Sequence, residues 1–128
     1  MKIFRAALTP SEGGDPKTFT GAVTRTTLAK DTGGTPVNVY RVEFEAGART
    51  HWHTHDGPQW LFVVEGRIRV QKLGKPANEV SAGDAVVIQP GEKHWHGATP
   101  TERGAHLAVN VNATTSWMEP VTDAQYRG

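Results

Sequence analysis

The chain reads HWHTH at residues 51–55 and HWH at residues 94–96, so five of its six histidines fall in two clusters about forty residues apart. A repeat of two is the side-chain period of a β-strand, in which successive residues point to opposite faces. His53 and His55 therefore share a face, and a residue on a neighbouring strand can complete a cage of imidazoles. His51 lies on that face as well, so spacing alone leaves the register open. With no cysteine in the chain, thiolate ligands and disulfides are excluded, and a metal site must be built from histidine, amide or carboxylate.

Both clusters sit in strand-and-turn surroundings. Gly47 precedes the first in GARTHWHTH, and the turn-forming DGP follows it, leading to Gln59 and the apolar run WLFVV that stops at Glu65 and Gly66. The second opens on the Gly83–Asp84 turn, runs through Val86, Val87 and Ile88, and breaks at Pro90–Gly91 before His94. Across the chain 14 glycines and 8 prolines punctuate short β-branched and aromatic runs, which favours an all-β architecture of barrel or sandwich type. Strands are expected at 20–28, 38–44, 50–55, 59–65, 67–72, 85–88 and 105–111, loops at 11–17 and 31–36, and one helical turn at 121–126. In the run after Gln59, Leu61 and Val63 share the inward face, and Trp60, Phe62 and Val64 point outward. An apolar outward face is expected to pack on a second sheet or a second subunit.

Composition narrows the function classes. A chain of 128 residues is one domain by size and buries about two-thirds of its unfolded surface. Fourteen Lys and Arg against 13 acids give a net charge of +1, with no basic run, so a nucleic-acid partner is not expected. The apolar stretch in MKIFRAALTPSEGGD is too short for a signal peptide or a membrane span, and the expected location is cytoplasmic.

Taken together, these residues resemble the cupin superfamily. Its first motif is met by Gly47, His53, His55, Gln59 and Gly66, and its second by Gly83, Pro90, Gly91 and His94. Gln59 stands where most cupins carry glutamate, Gln89 replaces the usual first proline, and Ala98 the usual late asparagine. The resemblance implies a single jelly-roll-type cupin β-barrel over residues 1–128, with its metal-binding core at about 38–111, forming a homodimer or homotetramer. It selects His53, His55, Gln59 and His94 as metal ligands and moves His51 to the rim. Three imidazoles and an amide are neutral donors, so a bound divalent ion keeps its full charge, acts as a strong Lewis acid and hosts anions.

GARTHWHTH, PGEKHWHGATP, the downstream His-Leu-Ala and the tail WMEPVTDAQYR narrow the resemblance to the small bacterial manganese-dependent cupin hydroxynitrile lyases. That resemblance implies Mn2+, with Fe2+, Ni2+, Co2+ and Zn2+ as alternatives, and carbon–carbon cleavage or formation of cyanohydrins. It makes His106 the group that moves the hydroxyl proton and places Tyr40, Val42, His96 and Asn110 around the substrate. A dioxygenase working at the same cage and a non-catalytic small-molecule-binding cupin are the alternative functions.

Overall fold

A computed structural model describes all 128 residues. After a 3-10 turn at Ala6–Leu8, the chain forms twelve strands and one short helix. The strands are β1 (Glu12–Gly13), β2 (Phe19–Thr20), β3 (Val23–Asp31), β4 (Val37–Phe44), β5 (Arg49–Thr50) and β6 (His53–His55). They continue with β7 (Gln59–Lys72), β8 (Asn78–Ser81), β9 (Ala85–Ile88), β10 (His94–Ala98), β11 (Gly104–Val111) and β12 (Thr115–Trp117), and α1 (Asp123–Arg127) closes the chain. All pair into one sheet along the path β1-β3-β4-β11-β7-β10-β5-β2, with β6 on β10, β12 on β6, and β8 and β9 on β7.

Strand β7 makes this sheet curl. Its first half pairs with β11 and β9, and its second half pairs with β10 and β8, so one 14-residue strand belongs to both layers. Gly66 sits at the changeover with φ +59, and a Cβ there would lie 2.4 Å from the Arg103 carbonyl oxygen. That left-handed conformation and that close approach both require glycine. The layers close on a core of Val23, Val42, Phe44 and Val63 from one and Phe19, Ile68 and Ala98 from the other.

The tryptophans between the histidines have their own anchor. Trp52 and Trp95 are 2% and 0% exposed and pack with Val121 and Tyr126 of the C-terminal tail. The Trp52 indole donates to Gln125 Oε1 at 3.2 Å and the Trp95 indole to Gln71 Oε1 at 2.9 Å. A capping box between Thr122 and Gln125 starts α1. Arg49, itself buried, donates to the Val121 carbonyl at 2.8 Å and Asp123 at 2.9 Å with its guanidinium over the Tyr126 ring. The tail thus clamps the strands that carry the histidines from behind.

Several elements differ from the sequence expectation. The runs 59–65 and 67–72 are one strand, because Gly66 bends the chain without ending the pairing. The first long strand starts at Val23 and reaches Asp31, paired to Val37, so the expected 20–28 span is shifted and the 31–36 loop begins later. The expected 50–55 strand is interrupted at His51–Trp52, and β1, β8, β10 and β12 were not expected. Trp60, Phe62 and Val64 do face outward and are exposed, with the Trp60 and Phe62 rings stacked at 6.4 Å. No helix is long and apolar enough to cross a membrane.

Trp95→Ala is expected to lower the unfolding free energy by about 3–5 kcal/mol, against less than about 1 kcal/mol for the exposed Trp60→Ala. Urea unfolding of metal-free protein at low concentration, followed by circular dichroism, measures both.

Candidate metal centre

Strand pairing brings the two clusters together: β10 lies antiparallel to β6 with His94 opposite His53, and β12 flanks β6 with Thr115 opposite His55. The ring centroids of His53 and His94 are 4.2 Å apart, with His55 5.0 Å from His53 and 5.3 Å from His94. The ligating nitrogens of His53, His94 and His96 lie within 4.8 Å of one another, all buried.

Each ring is held by its Nδ1. His53 Nδ1 is 2.8 Å from the His51 carbonyl and His94 Nδ1 is 2.8 Å from the Glu92 carbonyl. A carbonyl only accepts, so both rings donate from Nδ1 and turn an unprotonated Nε2 inward. His55 Nδ1 meets Thr115 Oγ1 at 2.9 Å, which leaves its Nε2 buried without a hydrogen-bond partner. The Gln59 amide donates to Asn110 Oδ1 at 2.8 Å, which directs Gln59 Oε1 at His94 Nε2, 3.3 Å away.

Two acceptors facing each other at that distance repel unless a cation or a proton lies between them. Burial drives the His94 imidazole down to about 4 and His53 well below its ordinary value, with neighbouring rings opposing a further charge. Burial lowers His55 as well. The rings are therefore neutral at neutral pH, and inward-facing nitrogens with an amide oxygen fit a divalent metal. His53, His55, Gln59, His94 and His96 are the side chains able to hold it.

A cavity of about 120 Å3 opens beside these donors, and Tyr40, Val42, His96 and Asn110 line it with His53, His55 and Gln59. His106 does not reach it. The ring is 0% exposed, behind His96, with its Nε2 2.9 Å from His96 Nδ1 and its face 5.4 Å from Phe44. The residue expected to move the hydroxyl proton thus stands behind the cavity wall, hydrogen-bonded to His96, whose Nε2 is buried with no partner. The placement of His51 at the rim is corrected. His51 is 6% exposed, not a rim residue, and its backbone rather than its ring serves the site by accepting from His53. Thr50, Thr115, Trp117, Phe19 and Arg25 also line the cavity. Thr115 lies 60 positions from the His55 it holds, and nothing in the local sequence announces the pairing.

Comparison with known proteins places this arrangement. Residues 40–110 match the cupin domain family. The chain belongs to the cupin family. This cupin is 42% identical over 130 residues to an (R)-mandelonitrile lyase from Granulicella tundricola, covering 99% of both chains. Its structure resembles that of a cupin-like protein from Thermotoga maritima with a TM-score of 0.85 and 41% identity over 90% of each chain. The polyketide cyclase RemF from Streptomyces resistomycificus shares the fold at a TM-score of 0.74 and 22% identity, covering 99% of this chain and 91% of that one.

Acid is expected to unfold the metal-free protein early. His94 and His106 sit at about 4 in the fold against an ordinary 6.5, so the unfolded chain binds more protons between those values. Their contribution is complete above about 6.5 and is lost as the pH falls toward 4. Urea midpoints of EDTA-treated protein across that range should fall steadily, and a flat profile would contradict neutral buried rings.

Proposed function

We propose that this cupin is a manganese-dependent carbon–carbon lyase that splits a cyanohydrin into a carbonyl compound and cyanide and runs the addition in reverse. The observation that carries the reading is 42% identity to an (R)-mandelonitrile lyase across 99% of both chains. The site chemistry supports it. His53, His55, Gln59 and His94 would hold a divalent ion, which would supply Lewis acidity with its charge undiminished by carboxylate.

The protein groups do the rest. His96 Nε2, buried and unpartnered, accepts the hydroxyl proton while its Nδ1–H donates to His106 Nε2. The pair spreads the developing positive charge, and His106 acts as a positioning residue behind the base. As the proton leaves, the O–H electrons form the C=O bond, the bond to the nitrile carbon breaks, and cyanide departs with that electron pair to take up a proton. Asn110 keeps the Gln59 oxygen turned toward the imidazoles by accepting from its amide. Val42 and Ala108 wall the cavity against water, and Tyr40 narrows it.

Manganese-loaded protein should release cyanide from mandelonitrile or the smaller acetone cyanohydrin, equally in air and under anaerobic conditions, and EDTA should abolish the activity. His96→Ala is expected to lower kcat at least about 100-fold and His106→Ala by about 10-fold, measured as cyanide release. No metal-dependent release from either substrate removes the lyase reading, and turnover that requires oxygen transfers the site to an oxygenase.

A further inference from the structure

The cavity wall carries a permanent cation that the cage chemistry does not use. Arg25 sits on β3 opposite Val42, two residues after the buried Val23, so it occupies the inward face where the same strand otherwise contributes core. It lines the cavity together with the imidazoles. Its guanidinium lies 5.1 Å from the centre of the Tyr40 ring, which is also in the wall. Four other arginines, Arg41, Arg49, Arg69 and Arg103, donate to a carboxylate or carbonyl at 3.1 Å or less. Arg25 makes no hydrogen bond of this kind, only an ion pair at 3.6 Å to Glu12, whose side chain is 71% exposed. A pair of that length and exposure is worth about 0–1 kcal/mol and yields readily to a better acceptor.

The rest of the wall has the same bias. None of the 13 residues lining the cavity is a carboxylate. Neutral imidazoles and an amide would give a bound divalent ion no counter-charge, and Arg25, its side chain 43% exposed, has only the long ion pair to Glu12. Size sets the second limit: at about 120 Å3 the cavity is smaller than the ~150 Å3 that takes a benzene ring.

We infer that Arg25 anchors a carboxylate, and that the substrate is a small aliphatic anion with an oxygen function on the carbon next to the carboxylate. The guanidinium fork matches a carboxylate in two parallel hydrogen bonds, which Lys cannot reproduce. The adjacent oxygen then faces the imidazole cage and His96. Within the lyase reading, on which the reaction but not the binding rests, the preferred cyanohydrin is that of a small oxo acid, not a neutral aromatic one.

The test is calorimetric titration of the metal-loaded protein with lactate and with lactamide, which match in shape and differ in charge. Wild type should bind lactate at least about tenfold more tightly than lactamide. Arg25→Gln should erase that preference with unchanged circular dichroism, and Arg25→Lys should keep part of it. Equal affinities in the wild type, or no binding of lactate at millimolar concentration, overturn the assignment. So does a preference that survives in Arg25→Gln, because the carboxylate then sits on the cage. Cyanide release from the cyanohydrin of pyruvate by the same preparation separates the two claims: its absence beside an intact lactate preference removes the lyase and leaves the anion site.

Discussion

Strand alternation at HWHTH and HWH is the constraint on which everything else in this protein depends. It sends the imidazoles to the cavity and the indoles of Trp52 and Trp95 to the opposite face. There the C-terminal tail locks them through Tyr126, Val121 and the Gln125 side chain. A cage on two-residue spacing is carried by short strands, three residues in β6 and five in β10. Burying two tryptophans behind them supplies the rigidity that a precise ligand geometry needs. The Nδ1 tethers to the His51 and Glu92 carbonyls then set each ring's tautomer as well as its angle.

The electrostatics follow from the same burial. Five histidines are withdrawn from water within a few ångströms of one another, and desolvation, with mutual repulsion between rings, keeps them unprotonated. Neutral rings of this kind can donate an electron pair to a metal or take up a proton. Gln59 is an amide, and no side chain lining the cavity carries a negative charge. Gln59 works only because Asn110, at the paired position on β11, holds its amide the right way round.

Much of this was legible in the sequence, and the missing parts share a cause. Period-two spacing identified the strand around His53 and His55, and the alternation after Gln59 correctly divided Leu61 and Val63 from Trp60 and Phe62. Short edge strands escaped because β1, β8 and β12 have two to four residues, too few for a period to register. The merging of two runs into β7 escaped because Gly66 reads as a terminator, whereas in the fold it bends a strand shared by two layers. At the site, His96 reached the cavity and His106 did not, since strand parity gives the face of a residue but not its depth. Thr115 and Arg25 lie far from the clusters in sequence, and only β-pairing brings them to the imidazoles.

The central claim is that inward-turned Nε2 atoms and the Gln59 oxygen hold one divalent ion. Electron paramagnetic resonance of Mn2+ titrated into metal-free protein tests it most directly. The account predicts that the free-ion signal is suppressed up to one equivalent in the wild type and that His94→Ala loses this suppression. Binding unaffected by His94→Ala, or no binding of Mn2+ or of Fe2+, Co2+, Ni2+ and Zn2+ in parallel calorimetric titrations, would contradict it.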